Sequence, residues 1–217
     1  MARQDGAAKD GRNYAGLSRE QRVAQRRTRL IDSALELFGT QGYATTSIER
    51  LCTLANVSTR SFYEDVGSRE ALLIALVDRI TTRAIARASE ALARTANEPL
   101  SSRVAAGFRA YLEVTCADRR TARVCYVEVV GVSEAVEEWR REQRGRISSM
   151  LIAEAERAVE RGETKPRRFD LFALAVIGAV NSLAQELVQT TQPDARISLD
   201  DICEEIAYVV NSGLAAQ

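Results

Sequence analysis

Thr45-Thr46-Ser47-Ile48-Glu49-Arg50-Leu51-Cys52-Thr53-Leu54-Ala55-Asn56-Val57-Ser58-Thr59-Arg60-Ser61-Phe62-Tyr63 is the stretch that decides the fold. Thr46 and Glu49 have the spacing of a capping box, which predicts a helix beginning there. Ile48, Leu51, Cys52 and Ala55 give that helix one apolar face. Asn56 follows, a residue that tolerates the left-handed backbone of a tight turn. Val57 plugs the angle, and Ser58 or Thr59 opens a second helix. Phe62 points back into the core, which leaves Thr59, Arg60, Ser61 and Tyr63 facing outward. Two short helices across a tight bend are what a DNA major groove admits.

On the N-terminal side, a helical pattern begins near Ser18, with Val23, Leu30, Ile31, Ala34, Leu35 and Phe38 at helical spacing and Gly39 or Gly42 ending it. Residues 1–17 are polar and glycine-dotted and are expected to be a flexible tail. On the C-terminal side a long helix is predicted from Ser68 towards Thr95. Pro99 suits the first turn of the next. An apolar helix over 121–131 ends near Gly131, and Ser133 caps its successor. Gly162–Arg168 is a polar connector, Phe169–Thr190 is apolar almost all round, and Ser198 opens a final helix to about Ser212. No strand pattern interrupts this, so the expected fold is all-α with about nine helices. The expected division is an N-terminal three-helix DNA-binding unit, residues 18–67, and a C-terminal helical ligand-sensing and dimerisation unit, residues 68–217.

Composition narrows the function. Lysine plus arginine balance aspartate plus glutamate at 30 each, so any nucleic-acid contact must be a local patch. Arg19, Arg22, Arg26, Arg27 and Arg29 supply one. Histidine is absent, which removes the commonest general base and a common metal ligand. The four cysteines, Cys52, Cys116, Cys125 and Cys203, form no C-x-x-C pair and sit in apolar helical patterns, as reduced thiols of a cytoplasmic protein would. No phosphate-binding loop or nucleophile elbow occurs, so neither an enzyme nor a cofactor is expected. The longest apolar stretch, Leu171–Val180, is too short to cross a bilayer, and no membrane partner is expected.

With these residues in hand, the sequence resembles the TetR family of repressors. The likeness rests on the apolar first helix with Phe38, Gly42-Tyr43, Thr45-Thr46, the Ala55-Asn56-Val57-Ser58 turn, Phe62-Tyr63, and Ser68-Arg69-Glu70 followed by Leu72-Leu73. Asn56 stands where the family usually has glycine, Val66 where an aromatic is usual, and Arg69 where lysine is usual. The resemblance implies a ligand-responsive repressor that binds palindromic double-stranded operator DNA as a homodimer. It implies DNA contacts from Thr45, Thr46, Ser47, Ser58, Thr59, Arg60, Ser61, Tyr63 and Arg69. Thr46 and Ser47 would take phosphate through their hydroxyls and the helix N-terminus, Tyr63 through its phenol, and Arg69 by charge. Arg60 either reads a guanine edge or grips phosphate.

The family resemblance also places a small-molecule effector, of unknown identity, among the middle helices. The candidate lining is Phe108, Tyr111, Cys125, Tyr126, Glu128, Trp139 and Gln143, although residues such as Tyr126 and Trp139 more often serve core or interface than clamp a ligand. Glu128 either faces inward, where it needs a cation from a ligand or from an arginine such as Arg123, or faces solvent or pairs with a surface arginine. Phe172, Val176, Leu183, Leu187, Ile202, Ile206 and Val209 on the last two helices are the candidate dimer interface. The alternative is a monomer with a large core. The alternative function is a helical interaction or small-molecule-binding module without operator binding.

Overall fold

A computed structural model of the chain describes residues 18–189 and 197–214. The expected tail, residues 1–17, lies outside them, as does the far end of the predicted 169–190 helix. The described residues form nine α-helices: α1 (Arg19–Gln41), α2 (Ile48–Ala55), α3 (Thr59–Asp65), α4 (Arg69–Arg94), α5 (Leu100–Thr115), α6 (Arg119–Arg123), α7 (Glu134–Glu160), α8 (Phe169–Gln189) and α9 (Leu199–Leu214). The all-α expectation holds.

Local chemistry explains the boundaries. Ser18 accepts from the Gln21 amide while the Gln21 side chain returns the bond, a complete capping box for α1. Ser47, not Thr46, caps α2 by accepting from the Arg50 amide, so that helix starts one residue later than predicted. Asn56 ends it at φ 51°, ψ 53°, the left-handed geometry its residue type permits. Pro99 occupies the cap position before α5 rather than its first turn. The largest departure lies at 119–131. Asp118 caps α6, which after one turn widens into a π-helical turn over Val124–Glu128. Hydrophobic periodicity registers the apolar residues there but not the extra residue per turn. Among the described residues α8 is the one helix long and apolar enough to cross a bilayer by length and composition, a longer apolar span than 171–180 suggests, and 33% of its most apolar window is buried.

Two apolar clusters hold the chain together. The first joins Leu30, Phe38, Leu51, Phe62, Leu72 and Leu76 of the N-terminal helices to Val124, Val129 and Val136. The second packs Leu112, Tyr126, Val176, Val180, Ile202 and Ile206 of the body. Each fully buried aliphatic side chain contributes about 1.5–3 kcal/mol relative to exposure.

One buried charge stands apart from this apolar packing. Arg103 of α5 is 2% exposed. Its Nε donates to Glu154 at 2.6 Å, its Nη2 to Glu163 at 2.8 Å and its Nη1 to the Glu98 carbonyl at 2.8 Å. The cluster ties α5 to α7 and to the connector after it. The Arg103 hydrogen bond, more than any other influence, holds the Glu163 carboxyl below the usual range. A carboxyl lowered in this way adds stability near neutral pH and loses it in acid, below the ordinary glutamate range. Arg103→Ala removes the buried cation the two carboxylates share and leaves Glu154 with Arg157 at 2.8 Å and Glu163 with Arg161 at 3.6 Å. It should cost about 1.5–3 kcal/mol in urea unfolding at pH 7, with a smaller difference from wild type at pH 4.

Candidate DNA-binding face, effector cavity and dimer face

Three of the four α3 residues predicted to face outward do so, while Ser61 is half-buried with its hydroxyl on Ser58 at 3.0 Å. Thr59 and Arg60 are exposed, Tyr63 is 54% exposed, and Phe62 beneath them is fully buried. Ser58 caps the helix by accepting from the Ser61 amide. Arg60 makes only a solvent-exposed pair with Glu64 at 2.8 Å, which leaves its guanidinium free to swing to a ligand. The helix is aimed from behind. Arg26 of α1 grips Asp65 with bonds of 2.6 and 3.1 Å, and the Asp65 side chain is 6% exposed. This fork was not foreseen. Arg26 was visible only as one of several arginines in a basic run.

Two expected phosphate contacts have other work. Thr46 is buried, and its hydroxyl donates to the Gly42 carbonyl at 2.8 Å, so it is withdrawn from any surface. Arg69 donates to the Thr46 carbonyl at 2.6 Å and lies 4.3 Å above the Tyr43 ring. These two contacts pin the turn before α2, and since neither partner is an anion the positive charge stays uncompensated beside it. Thr45 and Ser47 remain exposed on that turn.

Glu128 is the clearest correction to the pocket set. It lines no cavity. The π turn aims its carboxylate at the N-terminal helices, where the Tyr43 amide donates to one oxygen at 2.6 Å and Arg123 to the other at 2.7 Å. Arg123 also donates to the Thr40 carbonyl at 2.9 Å. Gly42, at φ +96°, makes room, since a Cβ there would stand 3.0 Å from the Arg123 guanidinium. Gly39 allows α6 to approach, since a Cβ there would meet the Arg120 Cβ at 2.5 Å.

The other expected pocket residues do line space. An apolar cavity of about 80 Å³ lies among α4, α5, α7, α8 and α9, with Phe108, Tyr111, Met150 and Phe172 in its wall. A more polar cavity of about 70 Å³ is lined by Thr115, Cys125, Tyr126, Trp139, Gln143 and Arg144, among others. Tyr111, Ile147, Ile177 and Asn181 belong to both walls. Tyr126 donates to Thr115 at 2.7 Å, and Gln185 to the Tyr126 carbonyl at 2.8 Å. Burial pushes the Cys116 thiol up to about 11, and the Cys125 thiol is raised by burial too, so neither is a reactive thiolate at neutral pH.

The dimer expectation needs re-aiming. Val176, Ile202 and Ile206 are buried in their own subunit, at 3%, 1% and 1% exposure, and have no surface to offer. Phe172, Leu183 and Leu187 are half-buried. The apolar side chains that α8 and α9 do present are Leu171, Leu174, Tyr208 and Val209.

A recognition helix held on a three-helix head, joined by one long helix to a cavity-bearing body, defines a helix-turn-helix transcriptional regulator. The comparisons agree. A family model described as "Bacterial regulatory proteins, tetR family" matches residues 30–76, and one described as "Tetracyclin repressor-like, C-terminal domain" matches residues 97–214, more than half of the chain. The chain belongs to the TetR family, whose members are DNA-binding transcriptional regulators and not enzymes. Among solved structures, a TetR-family regulator from Syntrophomonas wolfei superposes with a TM-score of 0.74 at 20% identity, covering 88% of this chain and 95% of that one. The regulator FadR from Bacillus subtilis, in complex with stearoyl-CoA, gives 0.76 at 18% identity, covering 86% and 98%. The fatty acid degradation regulator FadR from Bacillus halodurans gives 0.75 at 16% identity, covering 87% and 96%. No curated protein matches the sequence.

Proposed function

We propose that the chain is a cytoplasmic, ligand-responsive repressor that binds a palindromic operator as a homodimer. The observation that carries this is the face of α3. Thr59, Arg60 and Tyr63 project from a helix whose aim is fixed by the Arg26–Asp65 fork. Tyr63, Thr45 and Ser47 take phosphates, and Arg60 reads a base edge. Thr46 shapes the turn from within instead of touching DNA, and Arg69 braces the same turn while keeping its charge near the backbone phosphates.

A two-fold operator needs two recognition helices at a fixed spacing, about one turn of DNA or a multiple of it apart. The surface suited to pairing is the outer side of α8 and α9. Leu171, Leu174, Ala175 and Gly178 are exposed at the spacing of one face of α8, and α9 exposes Tyr208 and Val209. A second copy laid on this side makes a four-helix interface and accounts for the apolar surface that α8 leaves uncovered.

The effector occupies the paired cavities, and two connections lead from there to the head. Val77 and Thr81 of α4 form part of the polar cavity wall, and the same helix carries Arg69 at its start. Cys125 and Tyr126 line that cavity within the π turn that ends at Glu128. A ligand that binds the DNA-incompetent arrangement about 1.4 kcal/mol better than the competent one lowers operator affinity tenfold. The Bacillus subtilis neighbour, solved in complex with stearoyl-CoA, supports a small-molecule effector for a protein of this fold.

Two measurements test the reading. In a fluorescence-anisotropy titration with DNA from upstream of its own coding region, affinity should fall steeply with salt. Arg60→Ala should weaken the preferred site about tenfold and flatten sequence preference, whereas an equal loss on random DNA makes Arg60 a phosphate contact. In sedimentation, Leu174→Arg should shift the protein from dimer to monomer. An unchanged dimer moves the interface off α8.

A further inference from the structure

Gln143 of α7 is 6% exposed and carries the unpaired polar atom of the cavity region. Its amide nitrogen donates to Asp78 of α4 at 3.1 Å, while its Oε1 is buried without a hydrogen-bond partner. The orientation is forced, because turning the amide over would set oxygen against the Asp78 carboxylate. A buried acceptor with no donor is costly, so the site calls for a hydrogen-bond donor from outside the chain.

Arg144 lines the same cavity, half-buried. It makes no hydrogen bond or ion pair with any described residue. Glu137, whose carboxyl is lowered in part by the Arg144 charge, is already held at both oxygens by Arg140, at 2.7 and 2.8 Å. The cavity wall therefore carries an uncommitted cation beside an uncommitted acceptor. Across Tyr111 and Ile147 the space turns apolar, bounded by Phe108, Met150 and Phe172. Its volume, about 80 Å³, is well below the ~150 Å³ of a cavity that takes one benzene ring.

We propose that the effector is a small amphipathic carboxylate with a hydroxyl or N–H donor close to its acid group. The acid pairs with Arg144, the donor bonds to Gln143 Oε1, and a short apolar tail fills the space beyond Tyr111. This inference rests on the cavity being the effector site. Because Gln143 also bonds Asp78, a ligand that engages it acts on α4 directly.

Trp139, the single tryptophan of the sequence, lines the polar cavity and reports binding in the full-length protein without DNA. The probes are 2-hydroxyhexanoate, hexanoate and hexane-1,2-diol. 2-Hydroxyhexanoate should shift Trp139 emission saturably, with the other two at least about tenfold weaker, since each lacks one charge-assisted or buried hydrogen bond. Arg144→Gln should reduce 2-hydroxyhexanoate to the affinity of the diol, and Arg144→Lys should restore most of it. Gln143→Leu should reduce it to the affinity of hexanoate. Far-UV circular dichroism verifies that each variant is folded. Equal binding of the three probes, no binding of any, or an Arg144→Gln variant that binds like wild type overturns the proposal. A protein that binds its upstream duplex but none of the probes loses this inference alone. One that binds 2-hydroxyhexanoate but no duplex loses the operator reading alone.

Discussion

The carboxylate of Glu128 is the point at which body and head meet. One oxygen takes the Tyr43 amide and the other takes Arg123, which in turn holds the Thr40 carbonyl. Tyr43 then stacks beneath Arg69, and Arg69 holds the carbonyl of Thr46, one residue before the Ser47 cap of α2. A chain of charge-assisted contacts thus runs from the π turn of the body to the first residue of the helix-turn-helix. Such bonds are stronger than neutral ones, and the side chain of Glu128 is only 12% exposed, so water competes with them weakly.

This joint works with α4 rather than in place of it. The long helix fixes the distance between head and body, and its Leu72, Leu73 and Leu76 are fully buried in the cluster shared with α1 and α2. The clamp fixes the angle. With both in place the head cannot tilt about α4 without breaking a bond to Glu128. The π turn is what makes the clamp possible. One residue of an α-helix is about 100° of rotation, so the wider turn re-aims every side chain after it. Glu128 is aimed at Tyr43 while Tyr126, two residues earlier, remains in the body core and the cavity wall. An effector that disturbs the turn acts on the clamp.

The sequence carried the helix-turn-helix well because its signals are local. Asn56 at a left-handed turn, Phe62 turned inward and Ser58 at a cap depend on neighbours within a few residues. The error at Thr46 came from two adjacent hydroxyls, either of which suits a cap. Only the packing under Arg69 and the Gly42 carbonyl decides that Ser47 caps and Thr46 is buried. Glu128 was placed in the pocket because periodicity cannot show a π turn, although Arg123 stood among its weighed partners. Phe108, Tyr111, Cys125, Tyr126, Trp139 and Gln143 were legible as polar or aromatic breaks in apolar helices, and they do line the cavities. Three of the expected dimer residues, Val176, Ile202 and Ile206, are buried in their own subunit, and the sequence hid this for the opposite reason. A helix apolar on every side says nothing about which side its own subunit covers, so Val176, Ile202 and Ile206 were assigned outward when they pack inward.

The account depends on the clamp holding the head to the body, and amide hydrogen exchange in Glu128→Ala tests that most directly. The Tyr43 amide and its neighbours through Arg50 should exchange at least about tenfold faster than in wild type, corresponding to loss of roughly 1.4 kcal/mol of local protection. Amides of α8 and α9 should keep their wild-type rates. Unchanged exchange across 42–50, or equal acceleration throughout the molecule, would contradict a local clamp and leave the link between cavity and DNA to α4 and to the packing of α6 on α1.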